Sequence, residues 1–128
     1  MPMKAQITLE YLILSAVALA VLAFSLVALG QIKDRSEKAF NNVLFKSSAT
    51  QLANTMNEIC ALGNGNKQAV HLERKMDIEG ATDHAKFIDT ETKLFMSEKS
   101  YCKVSDSSGL YGSVEVENKD GVIEVKKI

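Results

Sequence analysis

From Tyr11 to Ile32 the chain runs for 22 residues without a charge, and Leu, Val, Ile, Ala and Phe fill most of the positions. As a helix such a run spans about 33 Å, enough to cross a hydrocarbon core of about 30 Å. It is longer than the roughly 7–15-residue apolar region of a secretory signal. Ala28-Leu29-Gly30 comes nearest to a small-residue cleavage site, and no polar mature start follows it. A retained membrane-spanning helix is the simplest expectation. Only one segment can span, which excludes a polytopic membrane protein. The residues after Ile32 carry nearly all the charge, which excludes a uniform soluble globule. Over the whole chain 15 basic residues face 16 acidic ones, so there is no basic footprint for nucleic acid. Lys4 precedes the run and Lys33, Arg35 and Lys38 follow it, a count that by itself slightly favours the cytoplasm for the C-terminal body.

Two features exceed a plain anchor. Glu10 lies where the apolar run starts, between Leu9 and Tyr11. A carboxylate deep in lipid costs a few kcal/mol or more and is usually paired. The simpler alternative puts it at headgroup level beside its own helix N-terminus, worth about 0.3–1 kcal/mol. Ala16, Ala20, Ala23 and Gly30 share one helix face, and small faces let helices approach closely in lipid.

The N-terminus reads Met-Pro-Met-Lys-Ala, then Gln6-Ile7-Thr8-Leu9-Glu10-Tyr11-Leu12-Ile13-Leu14. It resembles the class III signal peptide of archaeal type IV pilins, in which a short basic leader precedes Gln-x-Ser-x-Glu-x-x-x-Leu. Lys4, Gln6, Glu10 and Leu14 fall on that pattern, and Thr8 keeps the hydroxyl of the usual Ser. The resemblance implies cleavage between Ala5 and Gln6 by a prepilin peptidase, retention of the apolar helix, and a body outside the membrane. It further implies polymerisation with like subunits, in which the new α-amine of Gln6 meets Glu10 of a neighbour. That pair would set axial register more than it adds stability. The chain would reside in the cytoplasmic membrane as a precursor and then in a surface filament serving adhesion. A filament subunit of the archaeal flagellar type usually begins its mature chain with Gly, so Gln6 favours the pilin branch.

The helical pattern continues beyond the membrane segment through Ile32, Phe40, Val43, Leu44, Leu52, Met56, Ile59 and Cys60, and Gly63-Asn64-Gly65-Asn66 stops it. One helix from Gln6 to Leu62 would be about 85 Å long. After Asn66 the period becomes two. Val70, Leu72, Met76 and Ile78 alternate with polar residues as a half-buried strand, Arg74 intrudes on the apolar side, and Gly80 marks a turn. Further short strands fit Lys86–Thr90, Lys93–Ser97 and Tyr101–Val104, with Ser105–Gly109 as a loop. Ser113–Glu117 and Val122–Lys127 form a hairpin, either through a two-residue Asp120-Gly121 turn that opposes Val116 to Val125 or through a four-residue loop that opposes Val116 to Ile123. The expectation is an α+β chain with four parts: a leader at 1–5, an apolar transmembrane and filament-core helix at 6–32, an amphipathic continuation at 33–66, and an antiparallel sheet head at 67–128 packed on the helix's second half.

Cys60 and Cys102 could form one disulfide on an exported body, worth up to about 4 kcal/mol for a loop of this length; the alternative is two buried thiols. Catalysis has little support. His71 and His84 lack companions at metal-ligand spacing, Asp83-His84 has no nucleophile motif, and Gly63-Asn64-Gly65 is not a phosphate loop. No enzyme, metal or cofactor is expected. No Asn-x-Ser/Thr sequon occurs, which suits a minor or less exposed subunit. The expected partners are further copies, other pilins, the prepilin peptidase and, before assembly, the membrane. No motif specifies an adhesive target. The competing readings are a minor pilin or pseudopilin-like subunit, a monomeric membrane-anchored binding protein and, more distantly, an anchored enzyme.

Overall fold

The computed structural model describes residues 2–128 and divides into two compact units, one through Ala39 and one from Phe40 to Ile128. Helix α1, Pro2–Leu62, runs through both. It starts earlier than the sequence pattern suggests, at Pro2, whose fixed φ and missing N–H suit a first helical turn. No later proline interrupts it. It stops where Gly63 adopts φ +91° and donates its N–H to Ile59 O at 3.2 Å. Asn66 Nδ2 then donates to Leu62 O and Gly63 O, satisfying carbonyls that the helix leaves open.

In the second unit the sheet contains β1 (Lys67–Gly80), β2 (His84–Asp89), β3 (Phe95–Lys99), β4 (Lys103–Val104), β5 (Ser107–Lys119) and β6 (Val122–Lys127), in the order β3-β2-β1-β5-β6-β4. The α+β layout is the expected one, a long helix with a small sheet packed on its second half. The sheet is mixed, however: β4 runs parallel to β6. Loop residues Ser105 and Asp106 are followed at once by the long β5, so most of the expected Ser105–Gly109 loop is strand. The hairpin uses the two-residue turn, with Val116 opposite Val125 and Lys119 opposite Val122. Asp120 and Gly121 both take positive φ, +53° and +84°, which matches the twist of the flanking strands.

The core stripe of α1 is Phe45, Ala49, Leu52, Ala53, Met56 and Ile59, packed with Val70, Leu72, Met76, Ile78, Phe87, Val114, Val116 and Ile123. Phe40 and Val43, expected on the buried face, are exposed, and Phe45 and Ala49 are buried in their place. Arg74 is not a stray charge at an edge. It donates to both oxygens of buried Asp89 at 3.0–3.3 Å and reaches Glu91 at 2.8 Å. The register shift of β1 between Leu72 and Met76 occurs around this residue. Gly80 ends β1 at the turn into β2, where Ala81 N–H donates to His84 O, and it lies where backbone meets backbone: a Cβ there would lie 1.8 Å from Val104 O.

Candidate self-assembly segment

Lys4, Ala5, Gln6, Thr8, Glu10 and Leu14 all lie within α1 and are exposed. Gln6 and Glu10 are one turn apart and so share a helix face. The Thr8 hydroxyl donates to Lys4 O at 2.7 Å, spanning the Ala5–Gln6 bond. Ser15 and Ser25 likewise donate to Leu12 O and Val21 O, so these hydroxyls need no water. That is the condition for keeping them in an apolar surrounding.

Through the run itself the large apolar side chains are all exposed, among them Leu12, Leu19, Val21, Phe24 and Leu26. None of the most apolar window of the helix is buried. A surface like this needs lipid or other protein around it. Ala16, Ala20 and Ala23 lie within it, and Gly30 has open space where a Cβ would stand.

Glu10 is the one charge adjoining this surface after Lys4 and before Lys33. No ion pair reaches it among the described residues. It also lies more than two turns from the start of α1 at Pro2, and helix-dipole stabilisation fades within the first turn. In the uncut chain the helix N-terminus is therefore too far away to stabilise Glu10, whereas a chain starting at Gln6 would bring it within about one turn.

In the second unit Cys60 and Cys102 form a disulfide with Cα atoms 5.8 Å apart, tying the end of α1 to the segment before β4. Asn57, one turn earlier, donates to Lys99 O at 3.1 Å and accepts from Tyr101 N–H at 3.2 Å. Sequence reading did not single out Asn57, and nothing in its local pattern marks it, because its partners lie more than 40 residues away. The Arg74–Asp89 pair was half visible as a charge on an apolar strand face. Asp89 also accepts the N–H groups of Glu91 and Thr92 at 2.8 and 3.1 Å. Burial pushes its carboxyl up, and the Thr92 and Glu91 N–H groups together with Arg74 outweigh this and hold it below the usual range. His71 is exposed. His84 and Asp83 form an exposed pair at 2.6 Å, and the bond to His84 lowers the Asp83 carboxyl. An exposed flank of α1 carries Val43, Ser47, Thr50 and Asn54, with Lys46 and Glu58 as its charges. It gathers no set of groups suited to catalysis. No family model, curated protein or solved structure matches this chain.

Proposed function

We propose that this chain is a structural subunit of an archaeal type IV pilus-like surface filament, cut between Ala5 and Gln6 and polymerised through its N-terminal helix. The observation that carries the reading is Glu10: a lone carboxylate one turn after Gln6, unpaired within the described residues, at the edge of a helical surface that is apolar all round. Cleavage supplies the missing cation as the α-amine of Gln6, and a neighbouring copy brings it into a dry helix bundle where each charge alone would be costly. The role is structural rather than catalytic, and adhesion belongs to the polymer. Partners are further copies and other pilins, a prepilin peptidase, and the membrane before assembly. The α+β body with its disulfide suits a part held outside the cell.

Mass spectrometry of the protein recovered from the cell surface tests the reading. A mature terminus at Gln6, in material seen as filaments by electron microscopy, supports it. An intact Met1 terminus on a protein that stays monomeric in the membrane returns the chain to a plain anchored binding protein, and a Gln6 terminus at trace copy number in filaments points to a minor subunit.

A further inference from the structure

A sheet edge exposes backbone N–H and C=O groups that need partners. Parts of this sheet's edge are closed or distorted. Val104 N–H of β4 donates to Ala81 O, and Val104 O presses on Gly80. The start of β5, before its pairing with β6 begins at Val114, is bent by left-handed Gly109 and Gly112.

Two regular runs stay open. β2 pairs with β1 only from Met76 to Gly80, so among the described residues no strand lies beside Lys67–His71 on that side. β3 pairs with β2 and, among the described residues, has no further neighbour in the sheet. The bonding parity is fixed at both places. Asn118 N–H donates to Asn66 O, so the even-numbered residues in the first half of β1 bond to β5. Lys67, Ala69 and His71 therefore point their N–H and C=O groups outward. Farther along the same side, Glu73 N–H goes to Ser48 Oγ and Lys75 O accepts from Thr90 N–H. On β3, Asp89 N–H donates to Leu94 O, which turns Leu94, Met96 and Glu98 toward β2. Phe95, Ser97 and Lys99 face outward, and of their groups Lys99 O already accepts from Asn57 Nδ2.

We infer that the β1 edge Lys67–His71 is a docking site for the β3 edge Phe95–Lys99 of a second copy of this chain. The two edges match in length, and each sends three residues outward at the same spacing. The side chains of Lys67, Ala69, His71, Phe95, Ser97 and Lys99 all stand on the exposed face, so joining the edges keeps the outer faces continuous. With the strands antiparallel, the direction in which two sets of outward groups stand opposite each other, Ala69 and Ser97 are the central pair and both are small, while Lys67 faces Lys99 with Glu115 and Glu117 beside Lys67 to offset the like charge. Neither edge carries a proline or a left-handed residue to prevent pairing. Because the edges differ, each copy keeps one of each free, and the contact propagates in an open chain rather than closing a pair. The inference concerns the body alone and does not depend on how the segment before Lys33 associates.

The test uses full-length chains carrying Ala69→Cys or Ser97→Cys, co-expressed in the native host. Central cross-strand residues in a bonded antiparallel pair lie about 5.5 Å apart, within disulfide range. A cross-linked dimer on non-reducing gels when the two variants are together, and in neither variant alone, is the expected result. His71→Pro, added to the Ala69→Cys chain, removes another N–H that points outward, so it should leave the Cys60–Cys102 bond intact while reducing the cross-link at least tenfold. Dimers from Ala69→Cys alone or Ser97→Cys alone would mean an edge pairs with itself, and would overturn the inference. So would a lack of the mixed dimer; filaments seen in that same sample would show that the filament reading survives without it.

Discussion

Arg74 and Asp89 show how one residue pair organises the middle of the body. Asp89 is about 1% exposed and Arg74 about 12%, so the ion pair is held largely out of water. Removing one partner of such a pair strands the other. Arg74→Ala should destabilise the body by about 3 kcal/mol, at the low end for broken buried pairs because the Glu91 and Thr92 N–H groups still serve Asp89. Urea unfolding of the full chain in detergent, followed by near-ultraviolet circular dichroism, measures it. The lowered Asp89 carboxyl also sets a pH dependence. Its contribution is present above the unfolded value, about 3.9, and is lost as pH falls through the lower folded value. The stability gap between the native chain and Asp89→Asn should therefore be full at pH 6 and narrow below about pH 4. Glu10 belongs to the other unit, and the proposed filament gives it a role in assembly. Glu10→Gln should leave the chain folded, inserted and cleaved but poorly incorporated, and Glu10→Asp should be partly defective because its arm is shorter. Filament yield by electron microscopy beside a membrane-fraction blot measures both; normal yield from Glu10→Gln would return this residue to a headgroup position.

At the scale of elements, β4 survives as a two-residue strand because backbone groups reach it from both sides. Ile123 and Val122 pair with it on one side, and Ala81 O accepts its Val104 N–H on the other. This closure requires Gly80. Gly80→Ala would drive a Cβ into Val104 O, a backbone atom that cannot swing aside, and should cost about 3 kcal/mol or more. Thermal unfolding should show the loss, with earlier hydrogen exchange at Val104. The β5–β6 hairpin was legible locally, but its register was not: the local signal fitted both a two-residue and a four-residue connection, and the positive φ of Asp120 and Gly121 with Lys119 opposite Val122 selects the two-residue turn. The phase of the α1 stripe was less legible. Phe40 and Phe45 both fit a helical repeat, and only the position of the sheet selects Phe45 for burial.

For the whole molecule, the Cys60–Cys102 bond joins helix to sheet across a separation of 42 residues. Replacing both cysteines with alanine should lower stability by about 2–4 kcal/mol, by restoring freedom to the unfolded chain. Melting of native and double-variant chains under the same detergent conditions gives the comparison, and an unchanged midpoint would show that the Asn57 bonds and the core hold this junction without it.

The sequence by itself determined the long helix, its glycine stop, its division into an all-apolar part and a part with one apolar face, the first strand and the final hairpin. Each is written in periodicity, charge or turn chemistry within a few neighbouring residues. The partner of Arg74, the bonds of Asn57, the close approach at Gly80, the parallel pairing of β4 and the two open edges were decided only by the tertiary structure. They join residues 15 to 44 positions apart, and no local pattern records which distant group will complete a hydrogen bond or fill a gap.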